Sequence, residues 1–141
     1  MKQLPIDPYL PEIVAAMRER RSLVLVAPPG AGKTTHVPPA LLEAGLAAKG
    51  HLVILQPRRI AARAAAMRMA EERGWRLGRE VGYQVRFENR TRRDTRIHVV
   101  TEGIFIRRLQ ANPFLDGVAA VLLDEFHERS VHADLALAFV C

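Results

Sequence analysis

A doubly wound α/β domain, with a mostly parallel sheet sandwiched between helices, is the fold class that this 141-residue chain predicts. Three observations predict it. Apolar runs of strand length alternate along the chain with longer stretches of helical period. Two of those runs, Leu23–Ala27 and Val118–Leu123, are apolar at every position, so both faces of each need cover, as in a strand inside a parallel sheet. The first run leads straight into a Gly/Pro turn, and others end in charged or Gly-containing turns, where open α/β sheets gather their ligands.

The elements follow in order. Pro11 opens an amphipathic helix over 9–20, and a strand over 22–27 comes next. A helix over 33–44, kinked at Pro38-Pro39, precedes a strand over 51–55. An Ala-rich helix over 58–73 is ended by Gly74. A strand-like stretch covers 81–87, and Arg86 to Arg96 reads as a charged, mobile loop. A strand over 96–100, a helix over 102–110, an Asn-Pro turn at 112–113 and a strand over 118–123 follow, with a last helix from Val131. No internal repeat, linker or low-complexity segment divides the chain, which reads as one domain over 1–141.

Composition excludes several classes. An apolar fraction of 49% is that of a globular domain with a real core. No apolar stretch approaches the ~18–20 residues of a membrane span, and MKQLPIDPYLPE lacks a signal-peptide apolar region, so the expected compartment is the cytoplasm. The single cysteine, Cys141, allows no intrachain disulfide or thiolate cluster. A net charge of +6, carried mostly by arginine with only Lys2, Lys33 and Lys49 as lysines, points towards a polyanion. Arginine suits phosphate because its planar fork makes bidentate contacts. An Arg- and Ala-rich genome would give the same charge, so charge alone decides nothing.

Motifs decide more. APPGAGKT, Ala27 to Thr34, follows the first apolar run, and the run over 118–123 ends in Asp124-Glu125-Phe126-His127. Together these read as the two halves of a nucleoside-triphosphate site. A Gly-rich turn between strand and helix aims backbone N–H groups at phosphate oxygens, Lys33 reaches the β- and γ-phosphates, and the Thr34 hydroxyl ligates Mg²⁺. Gly30 and Gly32 are expected because a Cβ there would crowd the phosphates. Ala27 stands where the usual pattern begins with glycine.

Two further segments follow predicted strands. In Gln56-Pro57-Arg58-Arg59 the proline stops the strand and the arginine pair opens the helix. At about 100° per residue Arg59 and Arg63 share a helix face while Arg68 lies roughly 140° round, which suggests different tasks. In Thr101-Glu102-Gly103 the threonine is positioned to cap a helix and leave N–H groups for a phosphate, although an ordinary cap without ligand explains it equally well.

GAGKTT, QPRRIAA, VGYQVRFE, VVTEG and DEFHERS, in this order and spacing, resemble the first RecA-like domain of DEAH-type superfamily 2 RNA helicases, over nearly the whole chain. DEFHERS and QPRRIAARAAAMRMAEE look most like the bacterial members. Phe126 departs from the alanine of the family motif. The resemblance implies a P-loop, RecA-like fold and ATP, with other NTPs accepted, together with Mg²⁺. It implies that Gly30, Ala31, Gly32, Lys33, Thr34 and Thr35 hold the nucleotide, that Thr34 and Asp124 hold the metal, and that Glu125 orients and deprotonates the attacking water. His127 would couple that site to a partner domain, and Arg68 would stack on the nucleobase. Arg58, Arg59, Thr101 and Gly103 would contact the backbone of single-stranded RNA without reading its sequence. Arg86, Phe87 and Glu88 match a family stretch without an assigned role.

The function this implies is an ATP-dependent RNA helicase module, with a nucleotide-responsive RNA binder or another P-loop NTPase, such as a nucleotide kinase or an ABC-type ATPase, as alternatives. The resemblance also implies a second RecA-like domain that supplies arginine fingers. In the family fold a strand ending in Ser-Ala-Thr lies between the P-loop strand and the Asp-Glu strand. Residues 1–141 are therefore expected to leave Leu23–Ala27 and Val118–Leu123 each without a hydrogen-bonded neighbour, to be marginally stable and to be largely inactive alone.

Overall fold

Strand β2 (His51–Gln56) is the axis of the sheet, in a computed structural model that describes residues 3–20, 22–23, 32–47, 50–123 and 137–139. The chain enters through a short 3-10 turn (Asp7–Tyr9) and helix α1 (Leu10–Arg20), touches strand β1 (Ser22–Leu23), and forms α2 (Lys33–Glu43) before β2. Helix α3 (Arg59–Arg73) leads to the hairpin β3 (Val81–Val85) and β4 (Glu88–Asn89), then to β5 (Ile97–Thr101), α4 (Glu102–Ala111), β6 (Val118–Leu123) and β7 (Leu137–Phe139). Among the described residues the sheet order is β1-β7-β6-β2-β5-β3-β4. The β6–β2, β2–β5 and β5–β3 pairs are parallel.

Alternation along β2 divides the core in two. Leu52 and Ile54 face a large cluster with Ile13 and Met17 of α1, Val37 and Leu41 of α2, and Ala62, Ala66 and Met69 of α3. Val53 and Leu55 face the other way, onto Ile104 and Phe105 of α4. The sheet is thus covered on both faces, which is what the all-apolar run at 118–123 demanded: Ala120 and Leu122 join the first cluster and Val121 the second. The small side chains of Ala62 and Ala66, both fully buried, let α3 lie close to the strands. Gly74 ends α3 as expected, at φ 67°, where an L side chain is strained and glycine is not. Helix α2 continues as a helix through Pro38-Pro39, with both prolines buried in the core face.

Three expectations need correction. The strand-like stretch 81–87 stops at Val85, and Arg86-Phe87 is a two-residue turn into β4. The charged loop after it is tied at many points: Tyr83 O–H donates to Glu88 (2.8 Å), Arg90 N–H to the Tyr83 carbonyl (2.8 Å), and the Thr95 hydroxyl to the Gly78 carbonyl (3.0 Å). Third, the helix expected from Val131 is not what residues 137–139 form. They make β7, antiparallel to both neighbours, with Ala138 opposite Ser22 on one side and Val121 on the other. The strands expected to lack a neighbour therefore share one at these positions. Backbone groups exposed along an apolar strand are costly, and pairing them outweighs the helical preference of Leu137 and Ala138.

On the α4 face, one polar network is built into the sheet. His98, 6% exposed on β5, bonds the Thr95 carbonyl through Nε2 (2.9 Å) and faces Arg108 Nη1 through Nδ1 (3.2 Å). Arg108 also donates to Gln84 Oε1 (2.7 Å), and the His51 ring lies 4.2 Å from that of His98. Nε2 must donate to the carbonyl, so Nδ1 is the acceptor, and the ring fits only as a neutral imidazole. Burial first, then the neighbouring His51 and Arg108, bring the His98 pKa from 6.5 down to about 3. Burial and Arg108 also lower that of His51.

A depressed base is neutral when folded and takes its proton when unfolded, so stability is full above pH 6.5 and falls as the pH drops towards 3. We expect the domain to lose roughly 2 kcal/mol between pH 6.5 and pH 5, at about 1.4 kcal/mol per unit. Urea midpoints across that window should show a clear slope that flattens in His98→Leu. Equal slopes in both proteins would remove His98 as the cause.

Candidate nucleotide and nucleic-acid site

Parallel pairing ends three strands at one edge. Gln56, the last residue of β2, stands opposite Thr101, the last of β5, and Leu55 stands opposite Leu123, the last of β6. Helices α3 and α4 start directly beyond the first two strands. Asp124, Glu125, Phe126 and His127 follow Leu123 but lie outside the described residues, as do Gly30 and Ala31.

Gly32 is the N-cap of α2, at φ 99°, and brings no side chain of its own to cap that helix end. Lys33 and Thr34 follow in its first turn, each half-buried, while Thr35 is 8% exposed. A lysine, a hydroxyl and a helix N-terminus are together the donor set that phosphate oxygens and a hard cation require. A Cβ built at Gly32 would sit 2.7 Å from Leu4 Cδ1 and 3.1 Å from Ile6 Cγ2, so close packing of the N-terminal segment is itself a reason for glycine here.

That segment is fastened to the same helix by polar contacts. Asp7 Oδ2 accepts from the Leu4 N–H (2.8 Å) and its Oδ1 meets His36 Nδ1 (2.5 Å). His36, 1% exposed, meets Glu72 Oε2 of α3 through Nε2 (3.2 Å). Burial raises the Asp7 pKa, but the hydrogen bonds from His36 and the Leu4 amide, with the charges of His36 and Arg73, lower it overall. His36 and Asp7 were not legible as a pair: they are far apart in sequence, and neither belongs to a spaced motif.

Arg58 is the N-cap of α3 in extended backbone, without a side-chain cap, and Arg59 opens the helix; both are exposed. Arg68 lies further along α3, 65% exposed, with its Nε donating to Glu72 Oε1 (3.2 Å). Helices α2 and α3 cover the same sheet face, so Lys33 and Arg68 stand on neighbouring helices. Thr101 does occupy the N-cap of α4, but its hydroxyl makes no capping bond, contrary to expectation; its extended backbone (φ −81°, ψ 163°) forms the cap alone. Gly103 is exposed, and a Cβ added there would meet nothing within 4 Å. Phe87, in the hairpin turn, is 88% exposed at φ 71°, with the Arg86 guanidinium 4.8 Å from its ring centre. No cluster of three metal-ligating His, Cys, Asp or Glu side chains exists among the described residues. Nor is any helix among them long and apolar enough to cross a membrane.

A mostly parallel sheet covered by helices on both faces, with a glycine-capped helix that starts at Lys33-Thr34, is the architecture of a RecA-like P-loop domain. Residues 8–136 match the family model of the DEAD/DEAH box helicases, and the chain belongs to that family. It is 46% identical over 140 residues to the ATP-dependent RNA helicase HrpB of Escherichia coli, covering 99% of this chain and 17% of that protein. It is 39% identical over 139 residues to the mouse (Mus musculus) ATP-dependent RNA helicase DHX33, covering 99% of this chain and 20% of that one. Two crystal structures of E. coli HrpB, one described as a DEAH/RHA helicase and one as a DExH-box NTPase, match with TM-scores of 0.85 and 0.86, each at 45% identity. They cover 93% and 95% of this chain, and 17% and 16% of those chains. The chain thus spans a fifth or less of the length of these relatives.

Gly32→Ala is expected to destabilise the start of α2 through both the strained φ and the clash with Leu4. Adding Leu4→Ala should relieve the closest contact, at Leu4 Cδ1, leaving a residual cost on the order of 1 kcal/mol or more for the backbone strain and the remaining contacts with Leu4 Cβ and Ile6 Cγ2. Thermal unfolding of the single and double variants measures both parts, and full recovery in the double variant would mean that the left-handed backbone carries no cost.

Proposed function

We propose that this chain is the nucleotide-hydrolysing and RNA-gripping module of an ATP-dependent RNA helicase. The observation that carries the proposal is the register opposing Gln56 and Thr101, which sets two helix starts side by side at the edge where β6 also ends. The names of the relatives, both ATP-dependent RNA helicases, support it.

In this reading Lys33, Thr35, Gly30, Ala31, Gly32 and the first-turn N–H groups of α2 bind the triphosphate of ATP. Thr34 and Asp124 hold Mg²⁺, which neutralises charge on the phosphate oxygens when bound. Glu125 orients a water for in-line attack and accepts its proton, and His127 relays the nucleotide state to a second RecA-like domain. Arg68 lays its guanidinium plane on the nucleobase, a contact that does not depend on which base it is. Arg58, Arg59, the start of α4 at Thr101, and Gly103 hold successive phosphates of single-stranded RNA.

In the full-length protein, Glu125→Gln should keep nucleotide binding and lower kcat by roughly 10²–10⁴-fold, the usual effect of removing a positioned base. ATPase assays check it, and an unchanged rate would exclude the water-activating role.

Replacing both Arg58 and Arg59 by alanine should weaken RNA binding similarly for all sequences. It should also flatten the plot of log K against log salt by about one unit, as expected when two cations no longer neutralise phosphates of a single strand. Arg68→Ala should leave that slope unchanged. Titrations at several salt concentrations decide, and an unchanged slope in the double variant excludes Arg58 and Arg59 as phosphate ligands.

A further inference from the structure

Glu72, near the end of α3, joins the two helices of the candidate nucleotide site. Its Oε2 meets His36 Nε2 of α2 at 3.2 Å and its Oε1 accepts from Arg68 Nε of α3 at 3.2 Å, one oxygen for each helix. His36 sits three residues after Lys33 on α2, and its other nitrogen is held by Asp7. Leu4 N–H, Asp7, His36, Glu72 and Arg68 thus form one continuous line of polar contacts.

The geometry points to Glu72 as a positioning residue for the nucleobase contact: it holds the edge of the Arg68 guanidinium and, through His36, ties that plane to the helix that carries Lys33 and Thr34. This rests on Arg68 being the base contact. Arg68 is 65% exposed, and an unrestrained arginine loses much rotamer entropy when it presents a flat face to a ring. An exposed pair four residues apart on one helix contributes little by itself. Here the carboxylate is fixed from the far side by a ring that is 1% exposed, so its own orientation is set before Arg68 reaches it. Bonding at Nε uses one edge of the guanidinium and leaves both faces open for stacking.

The test is a double-mutant cycle in the full-length protein, reading the affinities of ATP and of inorganic tripolyphosphate, which has no base. Arg68→Ala alone should weaken ATP and leave tripolyphosphate unchanged; if ATP affinity is unaltered, the base-contact assignment fails, whatever Glu72 does. Given that weakening, Glu72→Gln should weaken ATP by roughly three- to tenfold, the range of coupling within one network. It should have no further effect in the Arg68→Ala background, and none on tripolyphosphate in either. Arg68→Lys, which keeps the charge without the planar fork, should lose as much as Arg68→Ala. A Glu72→Gln effect that persists without Arg68, or that falls equally on tripolyphosphate, would reduce Glu72 to a structural role and overturn the inference.

Discussion

The parallel pairing of β2 with both of its neighbours is the constraint on which the candidate site depends. Register in a parallel sheet is set by which side chains must face which core layer, since a slip of one residue would turn every one of them to the wrong face. In β2, Leu52 and Ile54 must meet the helices of one side and Val53 and Leu55 must meet α4 on the other. That requirement lines up Gln56 with Thr101 and Leu55 with Leu123, and so ends three strands at one edge. Chemistry gathers there because the next residues in each chain segment have nowhere else to go.

A second layer of organisation comes from the N-terminal segment. Leu4 and Ile6 pack on the backbone of Gly32, and Asp7 meets the buried His36, so a segment with no phosphate motif of its own braces the start of α2. The brace continues into α3 through Glu72. Opposite it, the neutral imidazole of His98 and its arginine serve α4 in a comparable way, a buried polar network whose members are satisfied.

Much of this was legible. Elements at 51–56, 59–73, 97–101, 102–111 and 118–123 fall within a residue or two of the boundaries expected from apolar period, Gly74 and the Asn-Pro turn. The family was legible because its motifs need particular residue types at short, fixed spacing. The Arg86-Phe87 turn was not, because a non-glycine residue at φ 71° leaves no mark in composition. Nor was β7: three residues carry too weak a propensity to oppose what their neighbours' backbones demand.

By itself the sequence determined the class of fold and the family, because these depend on local period and on motifs whose residues lie close together in the chain. Only the tertiary structure decided which distant residues meet. It placed Leu4 and Ile6 where Gly32 has no Cβ, set Asp7, His36, Glu72 and Arg68 in one line, and left the Thr101 hydroxyl out of its cap. Such contacts join segments far apart in the chain. Their partners are chosen by how helices pack on a shared sheet, and packing is a property of three dimensions that no spacing along one chain encodes.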